Sequence, residues 1–163
     1  MIFNERSEAL RRRLLRPWLF RAYLLNRVPL AGIAGLRLTR LDESECRVIL
    51  PGGWRNRNPF GSTYFASQSM AAEASTGAPA LVLVAGAAAS VSPILREVHG
   101  VFHKRIIGRS EFCFDDLAGM KNTVDRAVQS GESERFAARS VAAQEDGSVL
   151  AEFELVWSFK RRS

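Results

Sequence analysis

Cysteine is scarce in this 163-residue sequence, with only Cys46 and Cys113 present. Two thiols without metal-ligand spacing make neither a disulfide scaffold nor a zinc site, and each sits in an apolar strand-like run where a thiol packs. A reducing compartment, the cytoplasm, is the expectation. Long apolar runs are also missing. Residues 9–30, ALRRRLLRPWLFRAYLLNRVPL, interleave arginine with leucine, which excludes both the uninterrupted stretch of about 7–15 residues in a signal peptide and the roughly 20 of a membrane-spanning helix. The aromatic and glycine pattern of an RNA-binding sheet is absent and no recognition helix stands out, so no nucleic-acid partner is expected. There is no glycine-rich phosphate loop, Gly-x-Ser-x-Gly elbow, repeat or low-complexity segment.

What is present fits one soluble globular domain. The chain is 47% hydrophobic and 25% charged, long enough to bury a sizeable core. The net charge is +6, and seven arginines against two acids in residues 1–27 account for most of it. Basic character therefore belongs to an arm, residues 1–29, preceding a single domain over residues 30–163. In the arm Leu10, Leu14, Trp18 and Leu25 form an apolar stripe at helical period, which Pro17 kinks or divides. Such a helix either packs its stripe on the domain, the preferred reading, or makes peripheral contact with an anionic membrane surface.

Periodicity organises the rest. Residues 32–42 and 45–51 read as a hairpin turning at 42–44. A helix starts near Gly61 and runs to about Ser75, where STGAP interrupts it; a second apolar run over 80–90 is helical by its small residues. Strands follow over 94–107 and 109–116, separated by Gly108. A helix spans 116–131 between Asp116 as N-cap and Gly131 as stop, and two strands over 134–144 and 148–161 are joined through EDG at 145–147. In the last strand Ala151, Phe153, Leu155, Trp157 and Phe159 share one face. The class is α+β, an antiparallel sheet whose apolar face is covered by one long helix rich in Ala, Ser and Met.

That order resembles the hotdog fold, a curved antiparallel sheet wrapped around a central helix. The stretch RNRNPFGSTYFASQSMAAEAS, residues 55–75, sharpens the likeness. Hotdog acyl-CoA thioesterases of the phenylacetate-pathway type carry Asn-x-x-Gly, a His-Gly-Gly turn at the central helix start, and an acid nine residues after that histidine. This chain has Asn58, Gly61, Tyr64-Phe65-Ala66, and Glu73 nine residues after Tyr64. The WRNRN lead-in is more similar to an uncharacterised hotdog branch catalogued as a domain of unknown function. The resemblance, placed over residues 30–160, implies an acyl-thioester binding protein with thioesterase activity, acyl-CoA as ligand, no cofactor and no metal. It also implies a homodimer, because in the family the asparagine and helix-start amide belong to one subunit and the acid to the other. Asn58 and the Phe65 amide then hold the thioester, Glu73 acts as base or nucleophile, and Gly61, Tyr64, Phe65 and Ala66 line the substrate. The chemistry suits the spacing, since free amides at a helix N-terminus polarise a carbonyl and a carboxylate activates water.

Each of these residues has a plainer role open to it. Asn58 before Pro59 is a good turn residue, Gly61 serves the same turn, and Glu73 is ordinary if its side of the helix faces water. His99 and His103 on one straight strand stand roughly 13 Å apart, too far to share one ion. A hydratase of this fold would use an Asp/His pair, and no Asp-x-x-x-x-His string occurs. Ser90 and Ser92 fall roughly where some thioesterases place a helper serine. The alternative function is a non-catalytic acyl-binding or interaction module held at a membrane surface by the arm.

Overall fold

Proline and glycine punctuate the N-terminal region. In the computed structural model, which describes residues 2–144 and 146–162, the arm is two helices, α1 (Glu5–Leu14) and α2 (Pro17–Arg27). Asn4 caps α1 by accepting from the Ser7 amide, and Pro17 occupies the first turn of α2, where its missing N–H costs nothing. The inner face of the arm is packed: Phe3, Leu14, Phe20 and Leu24 all join the core. Asn4 Nδ2 donates to the Gly86 carbonyl at 2.6 Å and Arg11 Nη1 to the Leu41 carbonyl at 2.6 Å.

The first expected strand is shorter than its pattern implies. Residues 29–34 form α3 (Pro29–Ala34), closed by Gly35 in the left-handed region at φ 81°, a conformation that favours glycine. Only β1 (Arg37–Leu41) remains extended, paired with β2 (Cys46–Leu50). A 3-10 turn (Trp54–Asn56) leads to α4 (Phe65–Ala85), and β3 (Val91–Phe102), β4 (Ser110–Phe114), α5 (Leu117–Ser130), β5 (Glu134–Ala143) and β6 (Val149–Arg161) complete the order. The six strands form one antiparallel sheet in the order β1-β2-β4-β5-β6-β3. This sheet around α4 is the hotdog architecture.

Two further expectations need correction. First, α4 is one helix of 21 residues that begins at Phe65, not near Gly61, and STGAP does not interrupt it. Burial on nearly every side overrides the local cost of Gly77 and Pro79. Its small residues let it lie close to the sheet, where Ser75 Oγ meets Ser140 Oγ at 2.7 Å and Trp157 Nε1 donates to Thr76 Oγ1 at 3.0 Å. Second, β3 ends at Phe102 and has β6 as its neighbour, while residues 103–109 cross to β4. His99 and His103 therefore do not share a strand face. His103 lies beyond the strand, its Nε2 3.8 Å from Glu152 Oε1.

The remaining elements fall as their patterns predict. Asp116 caps α5 and Gly131 closes it in the left-handed region. Residues 151, 153, 155, 157 and 159 of β6 are all buried, while Glu154 is exposed. Strands β5 and β6 pair antiparallel as expected; of the EDG segment that joins them, Glu145 lies outside the described residues.

Candidate active site

The loop before α4 is built on two asparagines. Asn56 is buried and donates through Nδ2 to the Ala34 carbonyl at 2.9 Å and the Pro51 carbonyl at 2.8 Å, while its own carbonyl receives the Tyr64 amide at 2.7 Å. Asn58 closes the following turn. Its Oδ1 accepts from the Phe60 and Ser62 amides at 3.0 and 3.1 Å, and its Nδ2 donates to Ser62 Oγ at 3.0 Å. The carboxamide of Asn58 is thus engaged in its own turn. Gly61 holds φ 80° with open space around it, so its glycine character serves the turn conformation.

At the helix start Tyr64 and Phe65 are exposed and meet edge to face, ring centroids 4.9 Å apart. Ala66 is half-buried. Tyr64 offers no side-chain cap, and the first amides of any α-helix lack an intrahelical partner. Gln68, in the first turns of α4, is 5% exposed; its Nε2 donates to the Thr63 carbonyl at 3.1 Å, and its Oε1 has no partner among the described residues. Exposed Arg57 bridges to Thr63 just before this helix end, and exposed Arg105 reaches the Phe60 carbonyl through Nη2 at 3.2 Å.

Glu73 lies elsewhere. Eight residues along the same helix separate it from Phe65, about 12 Å at 1.5 Å per residue, so one chain does not bring the acid to its own helix-start amides. It borders a cavity of about 180 Å³ between the arm, α4, β3 and β6. The arm supplies Leu14, Phe20 and Leu24, α4 supplies Ala74 and Ala78, and Trp157 closes the sheet side, all of them buried. Members that still reach solvent include Tyr23, Glu73, Gly77 and Pro93. Burial holds the Glu73 carboxyl above the usual carboxylate range, and no charged neighbour among the described residues offsets it. A half-buried acid without a partner costs stability, and such groups cluster where chemistry is done. Among the roomier hollows, one of about 650 Å³ is an open trough of mixed charge that includes Arg47, Arg109, Glu111 and Asp146, and one of about 780 Å³ is lined largely by arginine, lysine, serine and glycine. The thiols offer no nucleophile, since burial keeps that of Cys46 protonated and raises that of Cys113 to about 12.

Sequence reasoning missed three groups here. Asn56, two residues before Asn58, takes the buried role. Gln68 carries no spacing signal at all. Gly77 is conspicuous only once its neighbours are known: a β-carbon there would stand 2.7 Å from Glu73 Oε1.

The comparisons with known proteins agree with this architecture. A probable thioesterase of unknown function from Pseudomonas aeruginosa superposes with a TM-score of 0.74 at 21% identity, covering 90% of this chain and 97% of that one. A putative thioesterase from Shewanella oneidensis gives 0.74 at 14%, covering 93% and 97%, and a thioesterase from Haemophilus influenzae gives 0.63 at 12%, covering 85% and 86%. No curated protein matches the sequence. The family described as Domain of unknown function (DUF4442) matches residues 16–98, a span that starts inside the arm and takes in the α4 loop, Glu73 and most of β3. With just over half of its length in that match, the chain belongs to the DUF4442 family, and it shares its fold with these solved structures.

Proposed function

We propose that the protein binds acyl thioesters, acyl-CoA in particular, and hydrolyses them in a site shared by two copies of the chain. The observation that carries this reading is Glu73, a desolvated carboxylate without a partner among the described residues, at the edge of a largely apolar cavity. Raised basicity suits a general base. Glu73 takes a proton from water, the oxygen adds to the thioester carbon, and the C–S bond breaks with the proton passing to the leaving thiolate. Donors for the carbonyl oxygen come from the α4 start of the second copy, where the Phe65 amide polarises it and Asn58 holds the turn in shape; Gly61, Tyr64 and Ala66 border the same spot. Arg57 and Arg105 give that helix end the positive charge a CoA nucleotide needs.

The unpaired outer edge of β3 supports a homodimer, since twelve residues with exposed Ile94 and Val98 otherwise offer an open template for association. The two unpaired thiols suit the cytoplasm. Release of free CoA from a panel of acyl-CoAs tests the activity. Glu73→Gln is expected to lower kcat by at least ~10²-fold with acyl-CoA affinity nearly unchanged; hydrolysis that survives this substitution at full rate would remove Glu73 from the chemistry.

A second reading, an acyl-binding module resting on a membrane surface, draws on the outer face of the arm. Trp18 is 67% exposed and Leu30 70%, with Leu25 and Ile33 beside them and Arg16, Arg21 and Arg27 around. No helix among the described residues is long and apolar enough to cross a membrane, so such contact is peripheral. Binding of acyl-CoA without turnover, together with co-sedimentation on anionic vesicles, selects this reading over hydrolysis.

A further inference from the structure

We infer that the cavity between the arm and α4 receives the acyl tail itself, so that the arm helices set the chain length and the substrates are short acyl thioesters. This rests on the thioester reading given above.

Apart from Glu73 and the Tyr23 hydroxyl at the solvent side, the walls are apolar. Leu14, Phe20 and Leu24 of the arm face Ala74 and Ala78 of α4, which leaves a tail nothing to hydrogen-bond between them. Trp157 closes the space, and because its indole N–H is already given to Thr76 Oγ1 at 3.0 Å, it presents only ring surface to an occupant. A carbonyl held beside Glu73 therefore has an apolar space directly next to it.

Size selects the class. Drug-sized ligands occupy roughly 300–1,000 Å³, whereas this cavity measures about 180 Å³. The pantetheine and nucleotide of CoA stay outside, and a short tail fills what is there. Protein interiors are close-packed and retain few voids larger than a water molecule, so a hollow of this size beneath the arm helices is a feature the fold maintains. Gly77 is part of how it does so: any side chain there would close the gap between Glu73 Oε1, 2.7 Å from a β-carbon, and Trp157 Cη2, 3.5 Å from it.

The experiment separates this inference from the catalytic one by measuring binding without chemistry. Thioether analogues of acyl-CoA, in a straight-chain series from acetyl to dodecanoyl, are titrated into the intact protein and into two variants whose melting temperatures are checked first. Leu81→Trp fills the cavity from its half-buried side; Leu24→Ala enlarges it from the arm. The wild type is expected to bind short members best. The filled variant should shift preference toward acetyl and the enlarged one toward longer chains, by about tenfold per methylene. An unchanged length profile in either folded variant, or a wild type indifferent to length, overturns the inference. Should Leu81→Trp not fold, the wild-type series and Leu24→Ala still decide. Length-dependent binding without hydrolysis of any acyl-CoA leaves the cavity assignment standing and removes the enzyme; Glu73-dependent hydrolysis with an unshifted profile does the reverse.

Discussion

The carboxylate of Glu73 lies against the bare backbone of Gly77, one helical turn further along α4, close enough that a β-carbon at 77 would sit 2.7 Å from Glu73 Oε1. Gly77→Ala should therefore separate stability from function. Alanine favours the helix by up to about 1 kcal/mol, so the melting temperature should hold or rise, while the displaced carboxylate should lower kcat at least ~10-fold by misplacing the base. Thermal melts beside acyl-CoA turnover check this, and a joint fall in both would assign Gly77 to packing alone.

Stability should depend on pH through the same carboxyl. Burial raises its folded value above the ordinary 4.5, so the folded state holds this proton to higher pH than the unfolded state does. Stability from this group is then lost as pH rises from about 4.5 through the folded value, and above that the ionised, unpaired carboxylate is a constant cost. Glu73→Gln removes the cost, so its melting temperature should exceed that of the wild type near about pH 8, with the gap closing toward about pH 4.5. Each kcal/mol corresponds to about 2–4 °C for a chain of this size. A gap that widens on acidification contradicts the assignment.

Association should run through β3. Light scattering is expected to report at least a dimer at micromolar concentration, and lysines in place of both Ile94 and Val98 should yield monomers, since charge on an open edge blocks strand addition. Turnover should fall with dimerisation if the site is composite. Monomers of this variant with undiminished turnover would place the whole site in one chain.

The two faces of α2 should respond differently to substitution. Phe20 is 4% exposed, and Phe20→Ala should cost about 3–5 kcal/mol as a core deletion. Trp18→Ser on the outer face should leave the melting temperature within a few degrees yet weaken sedimentation with anionic vesicles if that face meets lipid. Equal effects of both substitutions on the melting temperature would make the outer face a packing surface.

How much of this was readable beforehand varies from element to element. Helix α5 was legible at both ends because Asp116 and Gly131 act locally, and β6 was legible because alternation is a local pattern. Helix α4 is legible at neither end: whether Gly77 and Pro79 stop a helix depends on the sheet packed around it, which no short window contains. The 32–42 segment failed for a related reason, since α3 is held by its packing and only Gly35 betrays its end. At the site, the spacing drew notice to Asn58 and Glu73, but it carries no information about distance. The structure puts Asn58 in its own turn and Glu73 about 12 Å along the helix from Phe65, beside arm residues more than forty positions earlier in the sequence. Asn56 and Gln68 went unnoticed because burial of an amide is a tertiary fact.

The position of β6 has a bearing on how the protein is made. This strand joins β5 to β3, and it is synthesised after both. Until it emerges from the ribosome, β3 has no sheet to join, because β6 is its sole neighbour among the described strands. Docking of β3 therefore waits on residues 149–161, and a nascent chain stalled before them leaves this twelve-residue strand without a neighbour, open to non-native pairing.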